Sequence, residues 1–308
     1  MTKVFIDGSA GTTGLQIHQR LALRSDIQLL TLPENLRKDP TARADLLNQA
    51  DIAFLCLPDQ AAIEVAELVE NPHTCIIDTS TAHRVAPDWV YGFPELGWAE
   101  QIAKAGRIAN PGCHATGFIS IIYPLVQMGL LPGDAQLSCF SLTGYSGGGK
   151  SMIAEYEAAE PAPVLNSPAM YALGQSHKHL PEMQKVCGLS HMPVFCPIVD
   201  DYYKGMATTV PLNADLTGGA GAKRLRQALA DFYAGQKLIS VAAEEDCGGK
   251  IYAGQKAGTD SLMLLVCGNE ERLTVTALFD NLGKGASGAA IENMNIVLGL
   301  APETGLVP

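Results

Sequence analysis

The chain has 308 residues, room for two domains or for one large α/β domain. Hydrophobic residues make up 47% and charged residues 17%, which excludes a disordered or fibrous chain. The formal net charge of −11 excludes a general nucleic-acid binder, because no basic stripe is available for a phosphate backbone. An anionic small substrate stays open, since a few local Arg or Lys side chains outweigh global charge at short range.

The N-terminus runs straight into a strand, Val4-Phe5-Ile6, which leaves no room for a signal peptide and predicts a cytoplasmic protein. That strand ends in Asp7-Gly8-Ser9-Ala10-Gly11-Thr12-Thr13-Gly14, and a helical pattern follows with Leu15, Ile17, His18 and Leu21. Strand, glycine turn and helix form the context of a dinucleotide fingerprint, here spaced GxxGxxG instead of GxGxxG. The physics is the same: glycines let backbone N–H groups approach a pyrophosphate, and the helix N-terminus favours its charge. A glycine turn that binds nothing has the same sequence.

Further strands are expected at 27–32, 52–57 and 75–78, with helices around 41–48 and 60–69. Strands alternating with helices imply a parallel, doubly wound sheet. Strand two ends Leu30-Thr31-Leu32-Pro33, with no acid at its tip to take a ribose 2′-hydroxyl; Glu34 is close by. That pattern permits NADP without selecting it. The fourth strand runs into Asp78-Thr79-Ser80-Thr81-Ala82-His83-Arg84, where the Arg84 guanidinium suits a phosphate or carboxylate, or a surface ion pair.

After Asn110-Pro111-Gly112 the texture changes. A long apolar helix is expected over 115–128; the stretch 115–131 carries Pro124 and falls short of the roughly 18 apolar residues of a membrane span. Widely spaced strands at 135–143, 192–199, 206–211, 262–268 and 272–280 suggest a mixed or antiparallel sheet. A final helix over 286–300 places Ala290, Ile291, Met294, Val297 and Leu298 on one face. The expected division is a dinucleotide-binding domain over 1–112 completed by 285–308, and a catalytic and oligomerisation domain over 113–284.

Cys113 is the sharpest chemical feature. It stands in Asn110-Pro111-Gly112-Cys113-His114-Ala115-Thr116-Gly117, just before a helix. There the unbonded N–H groups and the helix dipole stabilise a thiolate, which is the nucleophilic form. Seven other cysteines are scattered without CxxC pairing, and Cys56, Cys75, Cys139 and Cys267 lie in strand-like apolar runs and read as core.

His177-Lys178-His179-Leu180-Pro181-Glu182 puts two histidines and a lysine ahead of a Pro-started helix. It suits a general acid/base beside a thiol, with a cation for an anionic substrate. A zinc pair in His-x-His spacing is the other reading, but no third ligand stands out, so no metal is expected. Gly144-Tyr145-Ser146-Gly147-Gly148-Gly149-Lys150 follows a strand and does not fit GxxxxGK[ST]. Its glycines let backbone crowd a nicotinamide or phosphate, or form a flexible surface loop.

These segments, with Tyr91-Gly92-Phe93-Pro94-Glu95-Leu96 and Phe279-Asp280-Asn281-Leu282-Gly283-Lys284-Gly285-Ala286, resemble the N-acetyl-γ-glutamyl-phosphate reductase family in its shorter subfamily, over nearly the whole chain. The resemblance implies a Rossmann domain plus an α+β domain, as in aspartate-semialdehyde dehydrogenase. It implies NADP(H) and a homodimer or homotetramer built through the second domain. It implies reduction of the acyl phosphate to the semialdehyde through a Cys113 thioester, with His177 or His179 as the acid/base. Gly8, Ser9, Ala10, Gly11, Thr12, Thr13, Gly14, Ser146, Gly147 and Asn281 then fall to the cofactor, and Arg84, Lys178, Glu182 and Lys204 to the substrate. One departure weakens the last: Asp200-Asp201-Tyr202-Tyr203-Lys204-Gly205 stands where many longer relatives carry arginines. A reductase for aspartyl phosphate or a longer homologue, and a non-catalytic dinucleotide sensor, are the alternatives.

Overall fold

The computed structural model describes residues 1–37 and 39–308. They form two compact units, 1–111 with 286–306 and 112–285 with 307–308.

The first unit begins with β1 (Thr2–Asp7), α1 (Thr12–Leu21), β2 (Ile27–Leu30), α2 (Pro40–Gln49), β3 (Ile52–Leu55), α3 (Asp59–Ala66) and β4 (Cys75–Asp78). The short β5 (Val90–Tyr91), α4 (Ala99–Ala103) and β6 (Arg107–Ala109) follow. All six strands are parallel, in the order β2-β1-β3-β4-β6-β5. Both faces of the sheet are covered. Val4, Ile6, Ile52, Phe54 and Ile77 join one core cluster, and Phe5, Ala53, Leu55 and Ile76 the other. Continuous apolar strands are what a sheet buried on both sides requires. The short β5 and β6 escape a sequence reading because two or three residues carry no usable period.

The second unit opens with α5 (Cys113–Gln127), then β7 (Ser138–Gly144), α6 (Gly149–Tyr156), β8 (Ala169–Met170) and α7 (Leu180–Cys187). It continues with β9 (Val194–Asp200), β10 (Met206–Asn213), α8 (Ala222–Phe232), β11 (Ile239–Val241), β12 (Leu262–Gly268) and β13 (Arg272–Phe279). The sheet is mixed, in the order β11-β12-β13-β10-β7-β9-β8. Helix α5 lies on it, buried along nearly its whole length. Pro124 inside α5 has no N–H to offer the Ser120 carbonyl one turn back. The Tyr233 hydroxyl donates to that carbonyl instead, at 2.8 Å.

The alternation of β7 is inverted. Cys139, Ser141 and Thr143 point inward, while Phe140 and Leu142 are exposed. The glycine run 144–150, for which a flexible surface loop is one of two readings, forms a 3-10 turn that passes into α6. Cys75 and Cys139 are buried as expected, and Cys187 with them; Cys56 and Cys267 are only partly buried, a correction to their reading as core.

A π-helical turn, Gly283–Ser287, leads into α9 (Gly288–Val297), which belongs to the first unit. There Ala290, Ile291 and Met294 join the same core cluster as Val4 and Phe54. No helix among the described residues is long and apolar enough to cross a membrane.

Candidate functional site

Cys113 is the first residue of α5, half-buried, with the extended Gly112 as N-cap and no side-chain cap on the turn. A thiolate there faces the positive end of a 15-residue helix. Its backbone is fixed from α7: Glu182, 1% exposed, accepts the Gly112 N–H through Oε2 at 3.2 Å. The other oxygen, Oε1, lies 3.9 Å from His179 Nε2. Gly285 closes the opposite side. A Cβ built there would stand 3.0 Å from Cys113 Cβ, so a side chain at 285 would press on Cys113.

The two histidines have different surroundings. His179 is 6% exposed, at the N-cap of α7. His177 is half-buried, and its Nδ1 accepts the His179 N–H at 3.1 Å. A neutral His177 therefore carries its proton on Nε2. Their ring centroids are 4.7 Å apart, and both pack against His114, at 5.5 and 5.7 Å.

His114 follows Cys113 on α5 and is 3% exposed. Its Nδ1 lies 2.7 Å from Ser141 Oγ on β7, and its Nε2 lies 2.7 Å from the Tyr171 hydroxyl just after β8. Ser141 Oγ in turn meets Thr208 Oγ1 on β10 at 2.9 Å. Burial, and secondarily the charge of His177, pull the His114 pKa from 6.5 down to about 3, so the ring is neutral. Burial, then the nearby Cys113 charge, raise the Tyr171 pKa and keep its hydroxyl protonated. Sequence reading missed Tyr171, Ser141, Thr208 and Gly285; the polar Ser141 and Thr143 within a strand-like run were the available signal.

The other substrate candidates have structural partners. Arg84 donates through Nε to the Asn110 carbonyl (2.9 Å) and through Nη2 to the Thr79 carbonyl (3.0 Å), bracing the segment after β6. Lys204 pairs with Asp280 at 3.4 Å, and Lys178 is exposed. Ser146, Gly147 and Asn281 gather in one place. Asn281 Nδ2 donates to Ser146 Oγ at 3.0 Å, its Oδ1 accepts the Gly205 N–H at 2.9 Å, and a Cβ on Gly147 would reach Asn281 Nδ2 at 3.6 Å. Among the described residues no group of three His, Cys, Asp or Glu side chains is arranged to hold a metal.

The glycine turn fits a dinucleotide. Gly8 adopts φ +84°, and a Cβ there would collide with the Cys56 carbonyl at 2.2 Å. On Gly14 a Cβ would meet the Gly8 carbonyl at 2.4 Å, so that glycine lets α1 pack on the turn. Gly8, Ser9 and Ala10 line a cavity of about 480 Å³, together with Thr31, Leu32, Arg37 and Arg43. Gly11, Thr12 and Thr13 form the start of α1 beyond it. Arg43 pairs with Asp7 at 2.6 Å. Burial raises the Asp7 pKa, with Arg43 acting against it. Glu34, the nearest acid after β2, pairs with Arg37 at 3.3 Å. Among the described residues, Arg37 and Arg43 line this end of the cavity and the nearby acids Asp7 and Glu34 are paired with them, an arrangement that suits an adenosine 2′-phosphate.

Comparison with known proteins shows the family. Residues 9–105 match the semialdehyde dehydrogenase NAD binding domain, and residues 113–281 the semialdehyde dehydrogenase dimerisation domain. The chain is 47% identical over 303 residues to the N-acetyl-γ-glutamyl-phosphate reductase of Burkholderia cenocepacia, covering 96% of this chain and 97% of that one. It is 47% identical over 305 residues to N-acetyl-γ-glutamyl-phosphate reductase 2 of Pseudomonas putida, covering 96% of each. Among solved structures, aspartate semialdehyde dehydrogenase II of Vibrio cholerae matches with a TM-score of 0.71 at 17% identity, over 97% of this chain and 99% of that one. The Candida albicans aspartate semialdehyde dehydrogenase with NADP matches with a TM-score of 0.70 at 15% identity, over 97% and 98%. At that identity the likeness shows the fold.

Proposed function

Since this chain belongs to the N-acetyl-γ-glutamyl-phosphate reductase family, an oxidoreductase family of the semialdehyde dehydrogenase type, we propose that it reduces N-acetyl-γ-glutamyl phosphate to the 5-semialdehyde with NADPH, through a thioester on Cys113. The observation that carries this reading is the half-buried Cys113 at the N-terminus of α5, where Glu182 accepts the Gly112 N–H and His177 and His179 pack against the adjoining His114.

The Cys113 thiolate attacks the acyl carbon, the carbonyl oxygen takes the negative charge, and the C–O bond to phosphate breaks as the tetrahedral centre collapses. Phosphate leaves and the acyl group remains on sulfur. A bound nicotinamide supplies the hydride that brings the thioester to the aldehyde level. His177 is the acid/base of the pair, because its neutral tautomer presents Nε2–H while His179 is buried beside Glu182. Its Nε2–H donates a hydrogen bond to the oxygen developing on the Cys113 adduct, and once hydride has been added that oxygen re-forms the C=O bond as the C–S bond breaks, releasing the aldehyde and the Cys113 thiolate. Gly8 to Gly14 would hold the pyrophosphate and Arg37 with Arg43 the 2′-phosphate, while Ser146, Gly147 and Asn281 are assigned to the nicotinamide end. Arg84, Lys178 and Lys204 are assigned to the anionic groups of the substrate.

The second unit carries an exposed apolar sheet face: Phe140 and Leu142 on β7, Met170 on β8 and Val194 on β9. A face of that kind on a dimerisation domain supports a homodimer formed through it, and a biosynthetic reductase of this family is assigned to the cytoplasm. Light scattering tests it: a dimer or a tetramer fits, a monomer does not.

The reaction is tested by phosphate-dependent reduction of NADP with N-acetyl-glutamate semialdehyde, followed at 340 nm. Cys113→Ser abolishes turnover while NADPH still binds. A variant that keeps most of its activity would exclude the covalent route.

A further inference from the structure

The hydrogen bonds behind Cys113 have one arrangement in which both wholly buried hydroxyls, Thr208 and Ser141, donate. Thr208 is wholly buried, and among the described residues its hydroxyl meets only Ser141 Oγ. A buried hydroxyl that fails to donate is costly, so Thr208 donates to Ser141. Ser141, also wholly buried, has two partners, Thr208 and His114. Having accepted from Thr208, it donates to His114 Nδ1. His114 is neutral and has one N–H, which is then on Nε2 and donates to the Tyr171 oxygen. The row ends there. The Tyr171 O–H proton has no acceptor within the described residues, and the ring that carries it packs against His114 and His177 beside the nucleophile.

We infer that Tyr171 is a catalytic hydrogen-bond donor at Cys113, aimed by the positioning residues Thr208, Ser141 and His114. Its O–H donates to the thiolate in the resting enzyme, and to the carbonyl oxygen when charge develops there; no proton is transferred. The inference rests on Cys113 being the nucleophile. The backbone supports the placement. Ala172 (φ +51°) and Gln175 (φ +53°) are the two non-glycine residues in the left-handed region among those described, and both lie within the turn from Tyr171 to His177. Gln175 holds that turn to β9, donating to the Phe195 carbonyl and accepting its N–H, both at 2.8 Å. A strained turn pinned at one end is a way to fix the direction of a side chain. Without the Ser141 donor, His114 carries its proton on Nδ1, Nε2 accepts from Tyr171, and the tyrosyl O–H turns inward.

The test compares wild type, Tyr171→Phe, Ser141→Ala and the double variant, each shown to be folded by thermal melting. Two readouts are used: kcat, and the pH dependence of Cys113 alkylation by iodoacetamide, followed on the Cys113 peptide by mass spectrometry. His177, His179 and Glu182 are unchanged throughout, so a shift reports the tyrosyl donor. Tyr171→Phe is expected to lower kcat about a hundredfold and to raise the apparent thiol pKa by about one unit. Ser141→Ala should move both in the same direction while leaving Tyr171 in place, and the double variant should match Tyr171→Phe alone. If Tyr171→Phe leaves kcat within twofold and the alkylation profile unmoved, or if the two effects add in full, the inference fails. Should Tyr171→Phe not fold, an unchanged alkylation profile in Ser141→Ala overturns it. Cys113→Ser tests the nucleophile separately, so the two failures are distinguishable.

Discussion

Glu182 Oε2 accepts the Gly112 N–H at 3.2 Å, and this bond ties the first turn of α7 to the residue that precedes Cys113. The two partners are 70 positions apart in sequence. Glu182 was expected to touch substrate; its place, 1% exposed, gives it a second role in fixing where α5 begins. Glu182→Ala leaves a buried N–H unpaired and should cost about 1–3 kcal/mol in urea unfolding. Glu182→Gln keeps an acceptor there but removes the charge beside His179. It should retain most of the stability and shift the pH–rate profile. Equal stability loss in both variants would refute the distinction.

Gly285 is the steric stop behind Cys113. Its Cβ would lie 3.0 Å from Cys113 Cβ and 3.2 Å from both the Asp280 carbonyl and the Phe279 ring. Backbone on one side leaves the cysteine as the group that moves. Gly285→Ala should cost about 1–3 kcal/mol from overpacking. The rate should fall more than about tenfold, because small misplacements of a nucleophile cost far more than stability reveals. Near wild-type kcat in a folded Gly285→Ala protein would show that the cysteine tolerates the push.

His114 makes the fold sensitive to acid. Its folded pKa is about 3, against 6.5 for the unperturbed ring. Below pH 6.5 the unfolded chain takes up a proton that the folded chain refuses. This contribution to stability is therefore fully present above pH 6.5 and is lost as the pH falls from there towards 3, by several kcal/mol at most. Chemical unfolding of wild type and His114→Gln at pH 7.5 and pH 4.5 should show the larger loss in wild type. Parallel losses would mean that carboxylates alone govern acid unfolding.

Arg37 lines the cavity at the end of β2, where the 2′-phosphate that separates NADPH from NADH would lie. Arg37→Ala should raise the NADPH dissociation constant about tenfold and leave NADH binding unchanged, as read by fluorescence titration. Its pair with Glu34 is exposed, so its loss should not disturb the fold. An equal weakening of both cofactors would remove Arg37 from selectivity.

Local signals in the sequence determined the parallel alternation of the first unit, the glycine turn and the helix that opens at Cys113. Apolar period and turn chemistry act over a few residues, and the chain displays them directly. The residues themselves suggested an acid/base role for the histidine pair, and the resemblance supplied the substrate. Tertiary structure alone decided that β7 turns Ser141 inward and Phe140 outward, against ordinary hydrophobic patterning. It alone brought Thr208, Ser141, His114 and Tyr171 into one hydrogen-bonded row, from two strands of a mixed sheet, the helix lying on it and the turn after β8. Sheet order and long-range pairing fix those meetings, and no periodicity along one segment encodes its partner 27, 57 or 67 residues away.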